Sequence, residues 1–318
     1  MRLENIENIA VLGTGTMAPG IAQLCAQSGY SVSMWGRTDA SLQRGFNRLK
    51  SNLRTFRDNG LIAEGDDELI FSRVKGVTSL QEAVRDADFV IESVAEELTL
   101  KREIFAALDG ICRQDAILST NTSGLSITAI ASTSSRPEKA IVTHFWNPPH
   151  LIPLVEIGRG QKTSQETVDV TTQLMTKIGK TPVVVQKEAP GFIGNRLQFA
   201  LLREALYIVE QGIASMEDVD TAVKMSFGRR LPVTGPLETA DLGGVDTFLA
   251  VSEYLMKDLC SSSQPSSLLV DAVKKGRLGI KSGTGLYEWS PESISQIAKA
   301  REEELIRFLR QDRAKPAW

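Results

Sequence analysis

A glycine turn near the start of the chain restricts the fold more than any other part of the sequence. An apolar, β-rich run from Ile6 to Leu12 leads into Gly13-Thr14-Gly15-Thr16-Met17-Ala18, and a helical apolar pattern follows. In such a turn the first glycine permits the tight bend, the second lets a pyrophosphate approach the backbone, and the third small residue lets the helix pack on the strand. Free N–H groups at the helix start then face the phosphates. We predict a dinucleotide-binding turn, with a tight turn that binds no ligand as the alternative.

The end of the second predicted strand, Tyr30 to Trp35, bears on the choice of cofactor. A NAD-binding fold usually places Asp or Glu there, on the hydroxyls of the adenosine ribose. This chain has Gly36-Arg37-Thr38 instead. An arginine and a hydroxyl suit a 2′-phosphate, which an acid would repel. We therefore predict a preference for NADP(H) over NAD(H), and Arg37 stacked on the adenine of either cofactor is the alternative.

Polar side chains follow the next predicted strands, where open α/β sheets bind their ligands. The strand from Phe89 to Val94 precedes Glu96, Glu97 and Lys101, and the strand from Ala116 to Ser119 precedes Thr120-Asn121-Thr122-Ser123. A third strand, Ile141 to His144, ends in a histidine. Each polar group has a plain alternative as a solvated loop or a helix cap, Ser123 above all. Their convergence predicts a functional site at this edge.

His144 is one of two histidines, and twelve positions later Glu156 lies inside a second apolar run. Histidine suits proton transfer because its ordinary pKa lies near working pH. A glutamate bonded to the far ring nitrogen would fix the tautomer and stabilise the imidazolium. A buried histidine without a catalytic role is the alternative for His144 taken alone. The polar strand ends beside it favour the catalytic interpretation.

The length of 318 residues favours two domains. Ala189-Pro190-Gly191 marks the predicted boundary, which gives a Rossmann-type doubly wound α/β domain over 1–188 and a mainly helical domain over 189–318. The segment Asn195 to Gln211 is apolar nearly all round, so we predict a buried central helix. Asn195 stands in its first turn, where it either points into the cleft or caps the helix. Large apolar helical faces predict a homodimer.

Composition removes several classes of function. A net charge of −3 provides no basic surface for nucleic acid or an anionic membrane. Three scattered cysteines and two histidines do not form a metal-binding pattern, and the cysteines suit a reducing compartment. No signal-peptide pattern or membrane-length apolar run is visible, so we predict a cytoplasmic protein.

Four motifs carry a resemblance to a known family. They are Asn121-Thr122-Ser123, His144-Phe145-Trp146-Asn147-Pro148, Leu154-Val155-Glu156 and Gly191-Phe192-Ile193-Gly194-Asn195-Arg196. With the glycine turn, the sequence resembles the L-3-hydroxyacyl-CoA dehydrogenase family over essentially the whole chain; that family includes 3-hydroxybutyryl-CoA dehydrogenases and lambda-crystallin-like members. The resemblance implies a Rossmann domain followed by a helical dimerisation domain, NAD(H) as the usual cofactor, and a place in fatty acid metabolism.

The resemblance also implies roles for individual residues. His144 matches the catalytic base and Glu156 its orienting acid. Ser123 and Asn195 match the groups that bind the substrate oxygen, and Ser123 also lies near the nicotinamide. Cofactor contacts are implied for Glu96, Lys101 and Lys281. The implied reaction interconverts a 3-hydroxyacyl-CoA, such as 3-hydroxybutyryl-CoA, and its 3-oxo form.

The sequence departs from the family pattern at two places, and both leave substrates other than an acyl-CoA possible. Phe56-Arg57-Asp58-Asn59-Gly60 stands where the resemblance implies lysines for the CoA phosphates, and Pro149-His150-Leu151-Ile152-Pro153 is closer to members that oxidise free hydroxy acids. The first prediction is an acyl-CoA substrate. The rivals are the same chemistry on a CoA-free hydroxy acid or small alcohol, such as gulonate or a heterocyclic alcohol, and a non-catalytic cofactor-binding or structural protein.

Overall fold

The structure is a computed structural model that describes residues 2–314. The chain folds as two units. Within the described residues, the first runs to Asn195 and also takes in Ala300 to Ala314, whereas the second is Arg196–Lys299. The first unit therefore extends beyond the predicted division at 188/189 and includes most of the helix Pro291–Ala314.

An eight-stranded sheet forms the centre of the first unit, in the order β3-β2-β1-β4-β5-β6-β7-β8. The strands are β1 Asn8–Leu12, β2 Ser31–Trp35, β3 Val74–Val77, β4 Phe89–Glu92, β5 Ile117–Thr120, β6 Ala140–Phe145, β7 Leu154–Arg159 and β8 Thr181–Val185. All neighbouring pairs are parallel except β6 and β7, which are antiparallel. The predicted doubly wound sheet is confirmed.

Helices connect these strands and cover the sheet. They are α1 Ala18–Gln27, α2 Asp39–Asp58, α3 Asp66–Ser72, α4 Leu80–Val84, α5 Leu98–Ile111, α6 Ile127–Ile130 and α7 Gln165–Lys177. In β1, Ile9 and Val11 belong to one apolar cluster, and Ala10 and Leu12 to another. Because successive side chains of a strand point to opposite faces, the sheet is buried on both sides. This burial explains why its central strands are apolar runs in the sequence.

The second unit is helical, as predicted. Its helices are α8 Gly194–Glu210, α9 Met216–Met225, α10 Pro236–Leu242, α11 Val245–Leu255 and α12 Ser267–Lys274, and α13 Pro291–Ala314 begins within it. None of the helices in the described range, residues 2–314, combines the length and the apolarity needed to cross a membrane.

The prediction of a buried central helix was wrong for α8. Of its side chains only Leu206 is buried, while Leu197, Phe199 and Leu201 are 56%, 62% and 42% exposed. A helix that is apolar on all sides is stable only when it is buried on all sides. A single copy of the chain leaves most of α8 uncovered.

The end of α13 completes the core of the first unit. Ile306 and Leu309 form a third apolar cluster with residues from α2, from the turn after it and from the segment before β7: Phe56, Leu61 and Leu151. Arg310 and Arg313 donate to the backbone oxygens of Asn59 and Leu61, the latter bond being 2.6 Å long. The last turns of α13 thus cover the C-terminal end of α2.

Candidate active site

The glycine turn has the shape that a dinucleotide requires. Gly13 adopts φ +129°, and a Cβ atom there would lie 2.5 Å from the carbonyl oxygen of Ser93. Gly15 is different, because a Cβ atom would meet nothing within 4 Å. Met17 is the N-cap of α1 and makes no side-chain cap hydrogen bond, which leaves the N–H groups of the first turn to a ligand. An open backbone before an uncapped helix fits a pyrophosphate.

The end of β2 is tightly packed. A Cβ atom at Gly36 would lie 2.8 Å from Ser41 Oγ and 2.8 Å from Thr14 Cγ2, so an acid does not fit there unless these side chains move. The hydroxyl of Thr38 accepts a hydrogen bond from Ser41 N at 3.2 Å and caps α2. Arg37 is exposed. Of the two groups predicted to meet a 2′-phosphate, Arg37 faces solvent and Thr38 also serves the helix.

Lys101 lies in the interior rather than on the surface. Its side chain is 1% exposed, and its Nζ atom is 2.8 and 3.0 Å from the two oxygens of the equally buried Glu92. Thr120 donates to Glu92 as well, at 2.6 Å. Lys101 reaches Glu96, which is 44% exposed, at 3.4 Å. In this structure Lys101 therefore supports Glu92 and Glu96, and its cofactor contact remains a prediction.

Glu96 holds the loop after β5 in place. Its Oε1 atom accepts hydrogen bonds from Thr122 Oγ1 at 2.5 Å and from the backbone N–H of Ser123 at 2.8 Å. Asn121 joins this loop to β6, because its Oδ1 atom accepts from the backbone N–H of Phe145 at 2.8 Å. The polar ends of β4, β5 and β6 therefore meet at one edge, as the sequence predicts.

His144 and Glu156 face each other across the antiparallel pair of β6 and β7. They are register partners, and His144 Nδ1 lies 2.8 Å from Glu156 Oε2. Both residues are buried, at 5% and 1% exposure. With Nδ1 donating to the carboxylate, the lone pair of the neutral ring lies on Nε2. That nitrogen is the one able to exchange a proton with a ligand.

Four donors occupy the two oxygens of Glu156. Oε2 accepts from His144 and from Trp146 Nε1 at 3.2 Å, and Oε1 accepts from the backbone N–H groups of Ile193 at 2.8 Å and Gly194 at 3.0 Å. Burial by itself would raise the pKa of Glu156, but these hydrogen bonds outweigh it and lower the pKa to about 2. Glu156 therefore stays ionised when His144 gains a proton.

Asn195 follows directly after the two backbone donors. It lies in the first turn of α8, inside the helix start at Gly194, so it is not the N-cap. Its Nδ2 atom donates to the carbonyl oxygen of Ser123 at 3.3 Å. The structure thus brings Ser123 and Asn195 into contact, and Glu156 binds both His144 and the turn that carries Asn195. Lys281 belongs to the second unit, and its role remains a prediction.

Trp146 and Glu92 are absent from the sequence-based site. The sequence nevertheless contains a signal for each of them. Trp146 stands two positions after His144, and Glu92 ends the strand that precedes Glu96. Residues two apart on an extended chain point to the same side. Glu92 is a charged residue within an apolar strand, and a charge in such a position needs a partner.

His150, the second histidine, is not part of this pair. The residue is 8% exposed, and its ring lies 5.7 Å from the ring of Phe56, centroid to centroid. Burial and the nearby charge of Lys180 lower the pKa of His150 to about 4. His150 is therefore neutral near pH 7. Within residues 2–314, no group of three or more His, Cys, Asp or Glu side chains is arranged to hold a metal ion.

Models of two protein domains together match most of the chain. The model described as 3-hydroxyacyl-CoA dehydrogenase, NAD binding domain, matches residues 8–189. The model described as 3-hydroxyacyl-CoA dehydrogenase, C-terminal domain, matches residues 191–289. The helix α13, which begins at Pro291, lies beyond both matches.

Two curated relatives match nearly the whole chain. The 5-formyl-3-hydroxy-2-methylpyridine 4-carboxylate 5-dehydrogenase of Mesorhizobium japonicum is 36% identical over 301 residues, which is 95% of this chain and 96% of the relative. A probable 3-hydroxybutyryl-CoA dehydrogenase of Bacillus subtilis is 39% identical over 289 residues, which is 91% of this chain and 99% of the relative.

Solved structures give the same picture. A crystal structure of 5-formyl-3-hydroxy-2-methylpyridine 4-carboxylic acid 5-dehydrogenase, described as an NAD⁺-dependent dismutase, superposes with a TM-score of 0.90 at 34% identity and covers 98% of this chain and 100% of that chain. The (S)-3-hydroxybutyryl-CoA dehydrogenase of Ralstonia eutropha gives a TM-score of 0.76 at 36% identity and covers 90% and 100%.

Proposed function

Because the chain belongs to the 3-hydroxyacyl-CoA dehydrogenase family, we propose that His144 is the catalytic base of a NAD-linked dehydrogenase that acts on a CH–OH group. The observation that carries the proposal is the buried His144–Glu156 pair, 2.8 Å apart, at the sheet edge where Ser123 and Asn195 also lie. The glycine turn of the same sheet has the open backbone that the cofactor needs.

The proposed proton path starts at Nε2 of His144. In oxidation, this atom takes the proton of the substrate hydroxyl while the carbinol carbon loses its hydride and becomes a carbonyl carbon. The nicotinamide, when bound, supplies the hydride acceptor in this direction and the donor in the reverse one. Glu156 stays ionised and compensates the imidazolium. In reduction, the imidazolium returns its proton to the carbonyl oxygen.

Ser123 and Asn195 are proposed to hold the substrate oxygen. The amide of Asn195 already contacts the backbone of Ser123, and the turn before Asn195 is held by Glu156. One carboxylate thereby fixes the base and part of the oxygen-binding pair relative to each other. Glu96, Lys101, Ser123 and Lys281 remain proposed cofactor contacts.

For the substrate we propose a CoA-free hydroxy compound. The resemblance implies CoA phosphate contacts near the end of α2, but Arg57, which lies there, bonds to Asp67 at 2.7 Å and to Asp58 at 3.3 Å. Its charge is therefore partly neutralised within the protein. Arg310 and Arg313 of α13 donate to carbonyl oxygens of the turn after α2, so these two arginines are already bonded within the chain.

The relatives support both substrate classes. The enzyme of Mesorhizobium japonicum is named for a pyridine carboxylate, and the structure with a TM-score of 0.90 covers 98% of this chain. An acyl-CoA remains the second candidate, favoured by the family models and by the relative of Bacillus subtilis. A carboxylated heterocyclic or aliphatic hydroxy compound is the class we propose first.

A substrate and cofactor matrix tests the proposal. 3-Hydroxybutyryl-CoA, free 3-hydroxybutyrate, gulonate and a hydroxymethylpyridine carboxylate are each assayed with NAD⁺ and NADP⁺, with His144→Ala as the control. We expect turnover of a CoA-free compound that the control abolishes. Turnover of the CoA ester alone would reverse the order of the two substrate classes. Full turnover by His144→Ala would overturn the proposed base, and cofactor binding without turnover of any carbonyl or alcohol would favour a non-catalytic role.

The family is NAD-dependent, and NAD(H) is the cofactor that its first domain model names. The predicted preference for NADP(H) stays a proposal. It is supported by the exposed Arg37 and by the lack of space for an acid at Gly36. A cytoplasmic location likewise stays a prediction.

We also propose a homodimer formed through the second unit. Large apolar side chains are exposed there in a single copy, including Phe199 at 62%, Val233 at 83% and Leu237 at 84%. Exposed apolar area of this kind is typical of subunit interfaces. Light scattering on the purified protein should give twice the mass of 34.7 kDa, and a monomer at micromolar concentration would contradict the proposal.

A further inference from the structure

Trp146 shares an oxygen of Glu156 with the proposed base. Its indole Nε1 lies 3.2 Å from Glu156 Oε2, and His144 Nδ1 lies 2.8 Å from the same atom. The two rings are also neighbours, with centroids 5.7 Å apart at an interplanar angle of 54°. Trp146 therefore contacts both members of the catalytic pair.

The position of the indole ring is fixed by the start of α8. A Cβ atom at Gly194 would lie 2.3 Å from Cζ2 of the Trp146 ring, so the ring occupies the space that any larger residue at Gly194 would need. Gly194 in turn donates its backbone N–H to Glu156 Oε1 at 3.0 Å. The glycine and the indole bind the carboxylate on different oxygens and pack against each other.

We propose that Trp146 is a positioning residue for the reaction: its indole N–H holds Glu156 Oε2 and draws negative charge from the oxygen that binds His144. This inference rests on the proposed role of His144 as the base. A carboxylate oxygen that accepts two hydrogen bonds is a weaker acceptor for each of them. The carboxylate therefore stabilises the imidazolium form of His144 less than a singly bonded oxygen would.

No second ionisable donor complicates this arrangement. Of the four donors to Glu156 within residues 2–314, His144 alone is an ionisable side chain, because the others are an indole and two backbone N–H groups. Phe192, whose ring centroid is 5.5 Å from that of His144, is uncharged. The pH response of the pair should therefore report the bond from Trp146.

The test is a histidine titration in Trp146→Phe, which keeps an aromatic ring and removes the N–H. The chain has two histidines, so their ¹³Cε1 NMR signals separate readily, and His144→Asn assigns them. His150 titrates elsewhere, since burial and the charge of Lys180 lower its pKa to about 4. We expect the midpoint of the His144 signal to rise by roughly 0.5–1 pH unit in Trp146→Phe. The control Trp289→Phe, in the second unit, should leave the midpoint of the His144 signal unchanged.

Activity gives a second readout. In the oxidation direction, the acid limb of the pH profile of kcat/KM should move upward by the same amount in Trp146→Phe. A purely structural role would lower kcat/KM at every pH and leave the limb in place, and an unchanged His144 midpoint would overturn the inference. Failure of the proposed function has a different signature, namely turnover that survives His144→Ala.

A measurement on the unsubstituted protein covers the case in which Trp146→Phe does not fold. Of the four tryptophans, one indole ¹⁵N–¹H signal should move with pH at the midpoint of His144 and lose this response in His144→Asn. If no indole signal follows the His144 titration, Trp146 does not share the carboxylate in solution and the inference is wrong.

Discussion

His144 and Glu156 are direct partners in the antiparallel register of β6 and β7, and 2.8 Å separates their bonded atoms. The contact between base and acid is therefore built into the pairing of two strands. A strand pair is rigid, and catalytic groups on such elements keep their geometry better than groups on loops. The orientation of the base does not depend on a mobile segment.

Replacing Glu156 with glutamine should lower kcat/KM by about 10²-fold or more. The amide has the same shape but carries no charge to compensate the imidazolium, and its NH2 group faces two of the four groups that now donate to Glu156. Steady-state kinetics in both directions measures the loss. The exposed Glu64 provides a matched control, and Glu64→Gln should behave as the unsubstituted enzyme. Equal activity of Glu156→Gln would argue against the pair.

Glu156 should also make folding stability depend on acid pH. Its pKa is lowered from 4.5 to about 2 in the folded protein, so the unfolded chain takes up the proton first as pH falls. The stabilisation by the carboxylate is present above about pH 4.5 and is lost as pH falls toward 2. Urea unfolding should therefore show a difference between the protein and Glu156→Gln that narrows from pH 6 to pH 3. A constant difference would contradict the low pKa.

Lys101→Met should destabilise the fold by about 3–5 kcal/mol, since it leaves the buried charge of Glu92 without its partner. The pair has 1% and 0% side-chain exposure. Lys75→Met is the matched control, because the Lys75–Glu82 pair is 70% and 52% exposed and should contribute less than about 1 kcal/mol. The free energy of unfolding from urea titrations measures both. Similar losses of unfolding free energy in the two variants would show that the buried Lys101–Glu92 pair stabilises the fold no more than an exposed ion pair does.

The two glycines of the turn should respond differently to alanine. Gly13→Ala meets the Ser93 carbonyl and an unfavourable φ, so it should cost about 1 kcal/mol or more of stability. Gly15→Ala has open space and should fold normally but raise the Kd for NADH by about tenfold, or ~1.4 kcal/mol. Fluorescence titration of NADH and thermal melts separate the two effects. Unchanged NADH binding by Gly15→Ala would place the cofactor elsewhere.

Arg37→Ala tests the proposed preference for the phosphorylated cofactor. A charged hydrogen bond to the 2′-phosphate would be lost, so the Kd for NADPH should rise by roughly tenfold or more while that for NADH changes little. Arg44→Ala, which removes an exposed arginine from α2, is the control. If Arg37→Ala weakens both cofactors equally, the side chain stacks on the adenine and does not select the phosphate.

Local patterns predicted much of the first unit. The predicted strand from Tyr30 to Trp35 agrees with β2 to within one residue, because glycines bound this apolar run at positions 29 and 36. The sequence predicts the contact between His144 and Glu156, because a histidine and a carboxylate form a catalytic pair and both stand beside polar strand ends. Motif and fold pointed to the same edge of the sheet, which made this part of the site accessible from sequence.

Other features depend on partners that are distant in sequence. The apolar pattern of α8 shows that the helix needs cover, but it does not show whether that cover comes from its own chain. The spacing of two residues indicates that Trp146 points to the same side as His144, but it does not show that Glu156 accepts a hydrogen bond from both. Lys101 appears on a helix as an ordinary charged residue, and only the neighbouring β4 shows that it is buried.

The packing of Ile306 and Leu309 against Phe56 and Leu61 has a consequence for synthesis. The ribosome releases the N-terminal part of a chain first, and domains tend to fold as they emerge. Here the nucleotide-binding unit keeps an uncovered apolar site until α13 is released. A nascent chain halted before residue 300 would expose that site. The unit that is synthesised first is therefore completed only late in translation.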